Sequence, residues 1–150
     1  MPLLGLAAML LSFDIDPEAI DEHDQWHTHE HLPERLSIPG FRRGTRWVAT
    51  EGKPRYMVLY EVESLHVLAS EAYLARLNNP TPWTIRMMPH YRGMRRGLCA
   101  VVGSFGLGQG SVAALDGAVE FAFAIYRSDY SLAAAEFSAK PVDQSVDPTR

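Results

Sequence analysis

The stretch RRGTRWVATEGKPRYMVLYEV, residues 42–62, decides the fold. Each half is rich in β-branched and aromatic residues, which favour extended backbone, and the Glu-Gly-Lys-Pro segment between them is typical of a turn. We therefore predict a β-hairpin, in which two antiparallel strands follow one another directly along the chain.

The segment before the hairpin, residues 16–31, predicts a helix. It begins with Asp16 as the N-cap and Pro17 at the first helical position, where a missing backbone N–H costs nothing. We expect Pro33 to end or bend this helix near His31, because a proline inside a helix removes a backbone hydrogen bond.

Three further segments complete the pattern on both sides of the hairpin. Residues 3–13 are almost entirely apolar, as in a central strand, residues 64–79 predict a second helix, and residues 97–105 predict a fourth strand. The order β-α-β-β-α-β is that of the ferredoxin-like fold, an α+β class with an antiparallel sheet and both helices on one face. Since the first strand is apolar on both sides, the helix-free face needs a cover, and we predict a homodimer whose sheets pack face to face.

The last part of the chain, residues 111–150, is predicted to extend a ferredoxin-like domain of residues 1–110. It contains an expected strand at 117–126, an expected helix at 128–140 and a polar tail. A strand followed by a helix is also how a partial second repeat would begin. The glycine-rich segment between the two parts lacks the Lys-Ser/Thr pair of a P-loop, so we interpret it as a linker.

The composition of the 150 residues argues against several classes of function. The formal net charge is −4 and no segment concentrates lysine and arginine, so we expect no nucleic-acid partner. The apolar N-terminal run lacks a basic region and a convincing cleavage site and is too short to span a bilayer, which predicts a cytoplasmic protein without a membrane partner. The single cysteine, Cys99, excludes an internal disulfide and is expected to be a buried thiol.

Four of the six histidines lie within nine residues, HDQWHTHEH at 23–31. At about 100° per residue, a helix gathers the less polar side chains on one stripe, which should face the sheet. That stripe consists of Ala19, Ile20, His23, Trp26, His27, Glu30 and His31. His29 points to solvent on the opposite side, which leaves His27 and His31 as the candidate site.

Three interpretations of this pair remain open. The i, i+4 spacing lets two imidazoles bind one divalent metal, with Glu30 or His23 as a third ligand. A histidine near a carboxylate is also suited to proton transfer, because its pKa lies near neutrality. The third interpretation is a set of hydrogen-bonded core histidines. We favour proton transfer without a cofactor, with His31 as the acid/base, oriented by Glu30 or His27.

The stretch QWHTHEHLPERLSIPGFRRGTRW, residues 25–47, resembles the dimeric α/β-barrel superfamily, and within it the EthD-like group of small, mostly uncharacterised bacterial proteins. Those proteins carry a W-[YF]-x-x-x-H-x-P core at the end of the first helix, followed by a Pro-Gly turn. The matching positions here are Trp26, His31, Pro33, Pro39 and Gly40. His27 stands where a tyrosine is usual. The resemblance covers residues 5–110 and leaves the C-terminal part unmatched.

This resemblance implies a cleft between the sheet and the helices. The superfamily includes cofactor-free isomerases, cyclases and oxygenases as well as haem-degrading monooxygenases, and its fold does not select among them. The resemblance implies His31 as the cavity acid/base, Trp26 as a wall and His27 as a polar group. Trp83, in an expected irregular segment, is predicted to cap the cleft or to lie at the dimer contact.

Two arginines are candidates for binding a substrate. Arg46 and Trp47 are neighbours on one strand and must point to opposite faces. Arg46 binds an anion if it faces the cavity, and it forms a surface ion pair in the reverse arrangement. Glu34 and Arg35 are expected to form solvated ion pairs, although Arg35 is also placed to reach a ligand carboxylate.

Together these observations predict a cofactor-independent enzyme of small-molecule catabolism, of isomerase, cyclase, lyase or oxygenase type. Its substrate is expected to be a small, largely apolar organic molecule. Two alternatives remain, namely a metal- or haem-binding protein that uses His27 and His31, and a non-catalytic protein that binds a small ligand.

Overall fold

The computed structural model describes residues 3–106, together with the backbone of two further strands at 112–114 and 124–133. The strands are β1 (Ala7–Ile15), β2 (Phe41–Ala49), β3 (Tyr56–Val62), β4 (Tyr91–Ala100), β5 (Val112–Ala114) and β6 (Ala124–Ala133). The α-helical segments are α1 (Ile20–Trp26), α2 (Leu32–Leu36), α3 (Glu71–Asn78) and α4 (Pro82–Met87). Three 3-10 turns lie at Pro17–Ala19, Leu65–Ala69 and Met88–His90.

The strands form one antiparallel sheet in the order β4-β1-β3-β2-β6-β5. The predicted hairpin is confirmed as β2 and β3, with Thr45 opposite Leu59. The first strand is central, as predicted, because Leu11 of β1 lies opposite Val58 on one side and Arg96 on the other. The fold is therefore mixed α+β, and its first four strands and their helices are consistent with a ferredoxin-like fold.

The apolar core lies where alternate residues of the sheet pack against the helices. Its buried side chains include Met9, Phe13, Val58 and Tyr60 from the sheet and Leu32, Leu36, Tyr73 and Leu77 from the helices. At Gly44 the sheet has no side chain, and a Cβ atom there would lie 2.5 Å from Cδ1 of Leu32. The missing side chain lets α2 approach β2 closely, which positions the end of the first helix over the sheet.

The first helix continues past Pro33 to Leu36, so the expectation that Pro33 ends it near His31 is wrong. Residues His27–His31 form a single π-helical turn between α1 and α2. The backbone N–H of Leu32 donates to the carbonyl of His27, five residues back. Because the π turn shifts the hydrogen-bond pattern just before the proline, the helix accommodates a residue that lacks a backbone N–H.

This continuous helix, residues 20–36, changes the setting of Glu34 and Arg35. The expectation that they form solvated ion pairs is wrong, because every residue of α2 is buried. The chain stays helical at Pro33 instead of turning out to solvent, so both charged side chains remain inside the fold. The predicted stripe of the helix is confirmed, since its histidines and its tryptophan are buried and His29 is exposed.

The second predicted helix, at 64–79, is divided at Ser70. A 3-10 turn precedes Ser70 and α3 follows it. The Ser70 hydroxyl accepts the backbone N–H of Tyr73 at 3.2 Å, which satisfies one of the free donors at the helix start. The side-chain cap therefore begins a new helix where the periodicity alone predicted a continuous one.

The segment around Trp83, expected to be irregular, is helical. The hydroxyl of Thr81 caps α4 by accepting the backbone N–H of Thr84 at 3.0 Å, and a proline follows at the start of the helix. The fourth strand spans Tyr91–Ala100, so it starts earlier than the predicted 97–105, because Tyr91 already pairs with the end of β1, and residues 101–105 are not strand. β4 is an edge strand, and its residues Arg92 and Arg95 are exposed.

The C-terminal strands add to the β2 edge of the sheet. β6 pairs with β2, with Ser131 opposite Thr45, and β5 pairs with β6. The helix predicted at 128–140 is therefore wrong for residues 128–133, which are strand, because pairing with β2 overrides local helical preference. Its remainder lies outside the described residues, as do most of the strand predicted at 117–126 and the polar tail.

Two expectations from the composition can be compared with the structure. Cys99 is exposed, so the expectation of a buried thiol is wrong. It lies opposite Ala8 on the edge strand β4, where only one neighbouring strand covers it. Among the described residues, no helix combines the length and the apolar character that crossing a membrane requires.

Candidate functional site

A narrow cavity lies between the first helix and the sheet. Apolar side chains form most of its wall, namely Met9, Leu11, Phe13, Val58, Met88 and Met94. The polar part of the wall consists of His27, His31, Arg35, Tyr60 and Tyr91. The space accommodates about one or two water molecules, so a larger ligand requires the flexible methionine side chains to move.

The first helix brings three of these polar side chains to the cavity through its π turn. His27 is 2% exposed, His31 is 7% exposed and Arg35 is 2% exposed. The centroids of the two imidazole rings lie 5.4 Å apart. A π turn inside an α-helix is frequent at functional sites, because it redirects side chains that a regular helix would place elsewhere.

The surroundings hold both histidines in the neutral form. Burial lowers the pKa of His27 well below its usual range, and the positive charge of Arg46 adds to this effect. Burial and the charge of Arg35 lower the pKa of His31 in the same direction. The Nδ1 atoms of both rings are buried and have no hydrogen-bond partner among the described residues. Each ring therefore keeps a polar atom for a bound molecule.

Arg35 reaches the same cavity from the last turn of the first helix. Within the part of the chain that the structure describes, its Nε and Nη1 atoms have no hydrogen-bond partner. The guanidinium carbon lies 5.5 Å from the centre of the Tyr73 ring, in a cation–π contact. Charged side chains are rarely buried without a partner of opposite charge, because their desolvation is costly.

A second polar network enters the cavity through Tyr91. Its hydroxyl lies 3.2 Å from Nε2 of His23, whose Nδ1 lies 3.1 Å from Oδ1 of Asp24. The hydroxyl of Tyr56 donates to the same carboxylate oxygen at 2.8 Å. The series Tyr91, His23 and Asp24 thus leads from the cavity to a carboxylate that is 32% exposed.

Burial and charge determine the protonation states in this network. Burial opposes ionisation of Asp24, but hydrogen bonds from His23 and Tyr56 and the charge of Arg46 outweigh it and lower the pKa. The ionised carboxylate accepts the Nδ1–H of His23, which leaves Nε2 to accept the O–H of Tyr91. Burial raises the pKa of Tyr91 well above its usual range, so this phenol keeps a proton at neutral pH.

Two residues predicted from the sequence lie behind the cavity wall. The ring of Trp26 is fully buried, and its centroid lies 4.5 Å from that of His31. The carboxylate of Glu30 accepts Nε1–H of Trp26 at 3.1 Å and the hydroxyl of Thr81 at 2.6 Å. Glu30 therefore joins the first helix to the start of α4, while Trp26 supports the imidazole that faces the cavity.

Arg46 and Trp83 also lie outside the wall of the cavity. Arg46 faces the helices, where Nη2 donates to the hydroxyl of Thr28 at 3.1 Å and Nη1 lies 3.8 Å from Oδ1 of Asp24. Trp83 is half-buried on α4, and its Nε1–H donates to Glu22 at 3.0 Å. These two side chains fix the first helix against its neighbours.

Sequence reasoning did not identify Tyr60, Tyr91 or the link from His23 to Asp24. Tyr91 and His23 are separated by 68 positions, so no local spacing relates them. The alternation of aromatic residues on β3 was the one available signal for Tyr60, since it predicts a shared face but not a cavity.

Metal or haem binding by His27 and His31 stays a prediction. Within the described ranges, the three potential ligands that lie close enough to share a cation are Asp16, Glu18 and His90. The carboxylate of Asp16 is already paired with Arg92 at 2.7 Å and with His90 at 3.2 Å. A visible spectrum and a metal analysis of protein purified without a polyhistidine tag test the prediction for the cavity histidines.

No protein-family model matches this chain, and no curated protein or solved structure is detectably similar to it. The resemblance of residues 25–47 to the EthD-like group therefore stays a prediction.

Proposed function

We propose that this protein is a cofactor-independent enzyme that acts on a small, largely apolar organic molecule by histidine acid/base chemistry. One observation carries the proposal: His27 and His31 line one cavity, and the Nδ1 atom of each ring is buried and lacks a partner in the described part of the chain. Buried polar atoms are normally hydrogen-bonded, so two such atoms on rings that line one space support a bound ligand. Isomerisation, cyclisation, elimination and cofactor-free oxygenation all begin with the proton transfer that this arrangement supports.

His31 is the proposed base. Its neutral imidazole accepts a proton from the bound molecule, and the low pKa that the cavity imposes makes the imidazolium return that proton readily. A proton removed from one atom and returned to another moves a double bond without any redox step. His27 orients the substrate by hydrogen bonding, and Trp26 holds the ring of His31 in place.

Tyr91 offers a route for a proton that is not returned to the substrate. When its hydroxyl oxygen accepts a proton from the cavity, its own proton passes to Nε2 of His23. The resulting imidazolium is stabilised by the carboxylate of Asp24, as in other histidine–carboxylate pairs. Because Asp24 is partly exposed, the proton reaches solvent on that side.

We also infer that the chain is an EthD-like dimeric α/β-barrel protein whose helix-free faces pack together in a homodimer. Leu10 and Leu59 are register partners, and Trp47 lies on the same face of the neighbouring strand. All three side chains are half-buried in the single chain. A second copy on this face removes their remaining apolar surface from water.

Deuterium exchange tests the enzymatic proposal. Exchange at acidic carbon positions of levulinate, 2-methylcyclohexanone and phenylacetone is followed by NMR in D2O. We expect the protein to accelerate exchange of at least one of these compounds, and His31→Gln to lose about 100-fold of the acceleration. His29→Gln, on the exposed side of the same helix, is the matched control and should retain it. The proposal is wrong if the protein accelerates none of them or if His31→Gln remains as fast as the unmodified protein.

Non-catalytic binding of a small ligand is a second candidate, and the narrowness of the cavity favours it. A protein of this kind binds its ligand without accelerating exchange. Binding that is intact in His31→Gln, combined with no exchange in the unmodified protein, would support this second function over the first.

A further inference from the structure

The positive charge of Arg35 faces no negatively charged group in the wall of the cavity. No carboxylate of the described chain forms an ion pair with it, and its Nε and Nη1 atoms lack hydrogen-bond partners there. The remaining polar groups of the wall are two imidazoles and two phenols. Burial keeps the imidazoles of His27 and His31 uncharged. The wall of the cavity therefore carries one net positive charge.

A buried charge of this kind is unfavourable by itself. Transfer of an ion from water to the protein interior is costly unless a partner of opposite charge and hydrogen bonds compensate it. The charge of Arg46 is compensated in the usual way, since Nη1 lies 3.8 Å from the carboxylate of Asp24 and Nη2 donates to the hydroxyl of Thr28. For Arg35 the protein supplies the face of the Tyr73 ring, which is a weaker partner than a carboxylate.

We propose that the cavity binds a small organic monoanion, a carboxylate with a short apolar body, through an ion pair with Arg35. The inference rests on the proposed function, because it names the chemical class of the molecule on which the cavity acts. A planar guanidinium matches the two oxygens of a carboxylate with parallel N–H donors. His31, four residues earlier on the same helix, then faces the part of the ligand next to its carboxylate.

The rest of the wall defines the body of the ligand. Six of its side chains are apolar, among them the ring of Phe13 and three methionines. These apolar side chains give no hydrogen bonds to an inorganic anion such as phosphate, but they remove the apolar part of an organic acid from water. Methionine side chains adapt their shape easily, so Met88 and Met94 are the groups that make room.

Binding of matched acids and amides tests the inference. Butyrate and benzoate are compared with butyramide and benzamide, which have similar shape but no charge, by calorimetry and thermal unfolding of the full chain. We expect at least one acid to bind about tenfold more tightly than its amide and to raise the unfolding temperature, because only the acid forms the charged pair. Arg35→Met should abolish this preference. Arg86→Met, at an exposed arginine paired with Glu22, is the matched control and should keep it.

Several results would overturn the inference. These are equal binding of acid and amide, an unchanged preference in Arg35→Met, and stabilisation by chloride or phosphate equal to that by the acid. If Arg35→Met does not fold, the resonance of the Arg35 Nε–H in the unmodified protein decides, because an anion at this position must shift it. A resonance that does not move when butyrate or benzoate is added would overturn the inference as well.

Two measurements, the preference for acids over amides and the acceleration of exchange that His31→Gln removes, separate this inference from the proposed function. If the unmodified protein prefers acids over amides but accelerates no exchange, the anion site is supported and the enzymatic proposal is wrong. If the protein accelerates exchange of the neutral ketones through His31 but shows no preference for acids, the enzymatic proposal is supported and the anion site is wrong.

Discussion

The hydroxyl of Tyr91 lies 3.2 Å from Nε2 of His23, and this contact connects the cavity wall to the buried side of the first helix. His23 is fully buried, so its hydrogen bonds rather than solvent determine which nitrogen carries the proton. Asp24 holds the other nitrogen at 3.1 Å. His23, held by Asp24, therefore provides a proton acceptor distinct from His27 and His31.

Replacing Tyr91 by Phe tests this connection. The substitution removes the hydroxyl but keeps the ring against Phe13, whose centroid lies 4.6 Å away. We expect the deuterium exchange rate to fall by about 100-fold, the size of a typical acid/base contribution. His29→Gln removes a titratable group on the exposed side of the first helix, away from the cavity, and serves as the control. An unchanged rate in Tyr91→Phe would remove the tyrosine from the proton route.

The stability of the protein should depend on pH between neutrality and mild acid. Burial first, and then nearby positive charge, lower the pKa values of His27 and His31 below their value in the unfolded chain. Below pH 6.5 the unfolded chain consequently binds more protons, so stability is full above that value and is lost as the pH falls. Each histidine contributes up to about 1.4 kcal/mol per pH unit to this slope.

Urea unfolding at several pH values between 5 and 7.5 measures this effect. His31→Gln should show a smaller loss of stability towards pH 5, since one of the two histidines whose pKa is lowered by burial no longer titrates. His29→Gln should follow the unmodified protein, because His29 is exposed. A stability that is constant over this range would contradict the prediction.

Arg35→Met should stabilise the ligand-free protein. It removes a buried charge that lacks a partner in the described chain and keeps an apolar side chain of similar length beside Tyr73. We expect the free energy of unfolding to rise by about 1–3 kcal/mol, as when buried ionic groups are replaced by apolar ones. The check is chemical denaturation without added organic acids. A decrease in stability would show that the arginine contributes more to packing than its desolvation costs.

Unlike Arg35, the buried Arg43 has a carboxylate partner, Glu61, so breaking this ion pair should destabilise the protein. Nε of Arg43 lies 2.6 Å from Oε1 of Glu61, and both side chains are almost fully buried. Glu61→Gln leaves a buried cation behind and should destabilise the protein by about 3–5 kcal/mol. The neighbouring pair of Arg42 with Glu63 is exposed, so Glu63→Gln should cost less than about 1 kcal/mol. Equal effects of the two variants in denaturation experiments would contradict this assignment.

A charge on the helix-free face should prevent the proposed dimer. Leu59→Arg introduces a cation where two copies are proposed to meet, and a buried unpaired charge opposes association. We expect light scattering to show a dimer for the unmodified protein and a monomer for Leu59→Arg. Leu65→Arg, at an exposed leucine in the 3-10 turn before α3, should remain dimeric. A monomeric unmodified protein would reject the dimer.

Much of the fold was predictable because its signals are local. The hairpin of β2 and β3 follows from two extended segments around a turn. The burial of His23, Trp26, His27 and His31 follows from helical periodicity, which relates residues only three or four positions apart. The strand nature of residues 128–133 was not predictable in the same way, because it depends on pairing with the distant strand β2.

The candidate site was predictable only in part. The spacing of His27 and His31 indicated a shared environment, and both line the cavity. For Arg35 the sequence left two alternatives open, a solvated ion pair and a contact with a ligand carboxylate, because a proline two residues earlier predicts a helix end rather than a helix that continues through a π turn.

The sequence by itself determined the order of the elements and the side of the first helix that is buried, since both depend on neighbours along the chain. Only the tertiary structure decided that Arg35 enters the cavity and that Tyr91 meets His23 there. These contacts depend on the close approach of α2 to β2 at Gly44 and on the pairing of β4 with β1. Both are packing relationships between distant segments, and no local pattern specifies them.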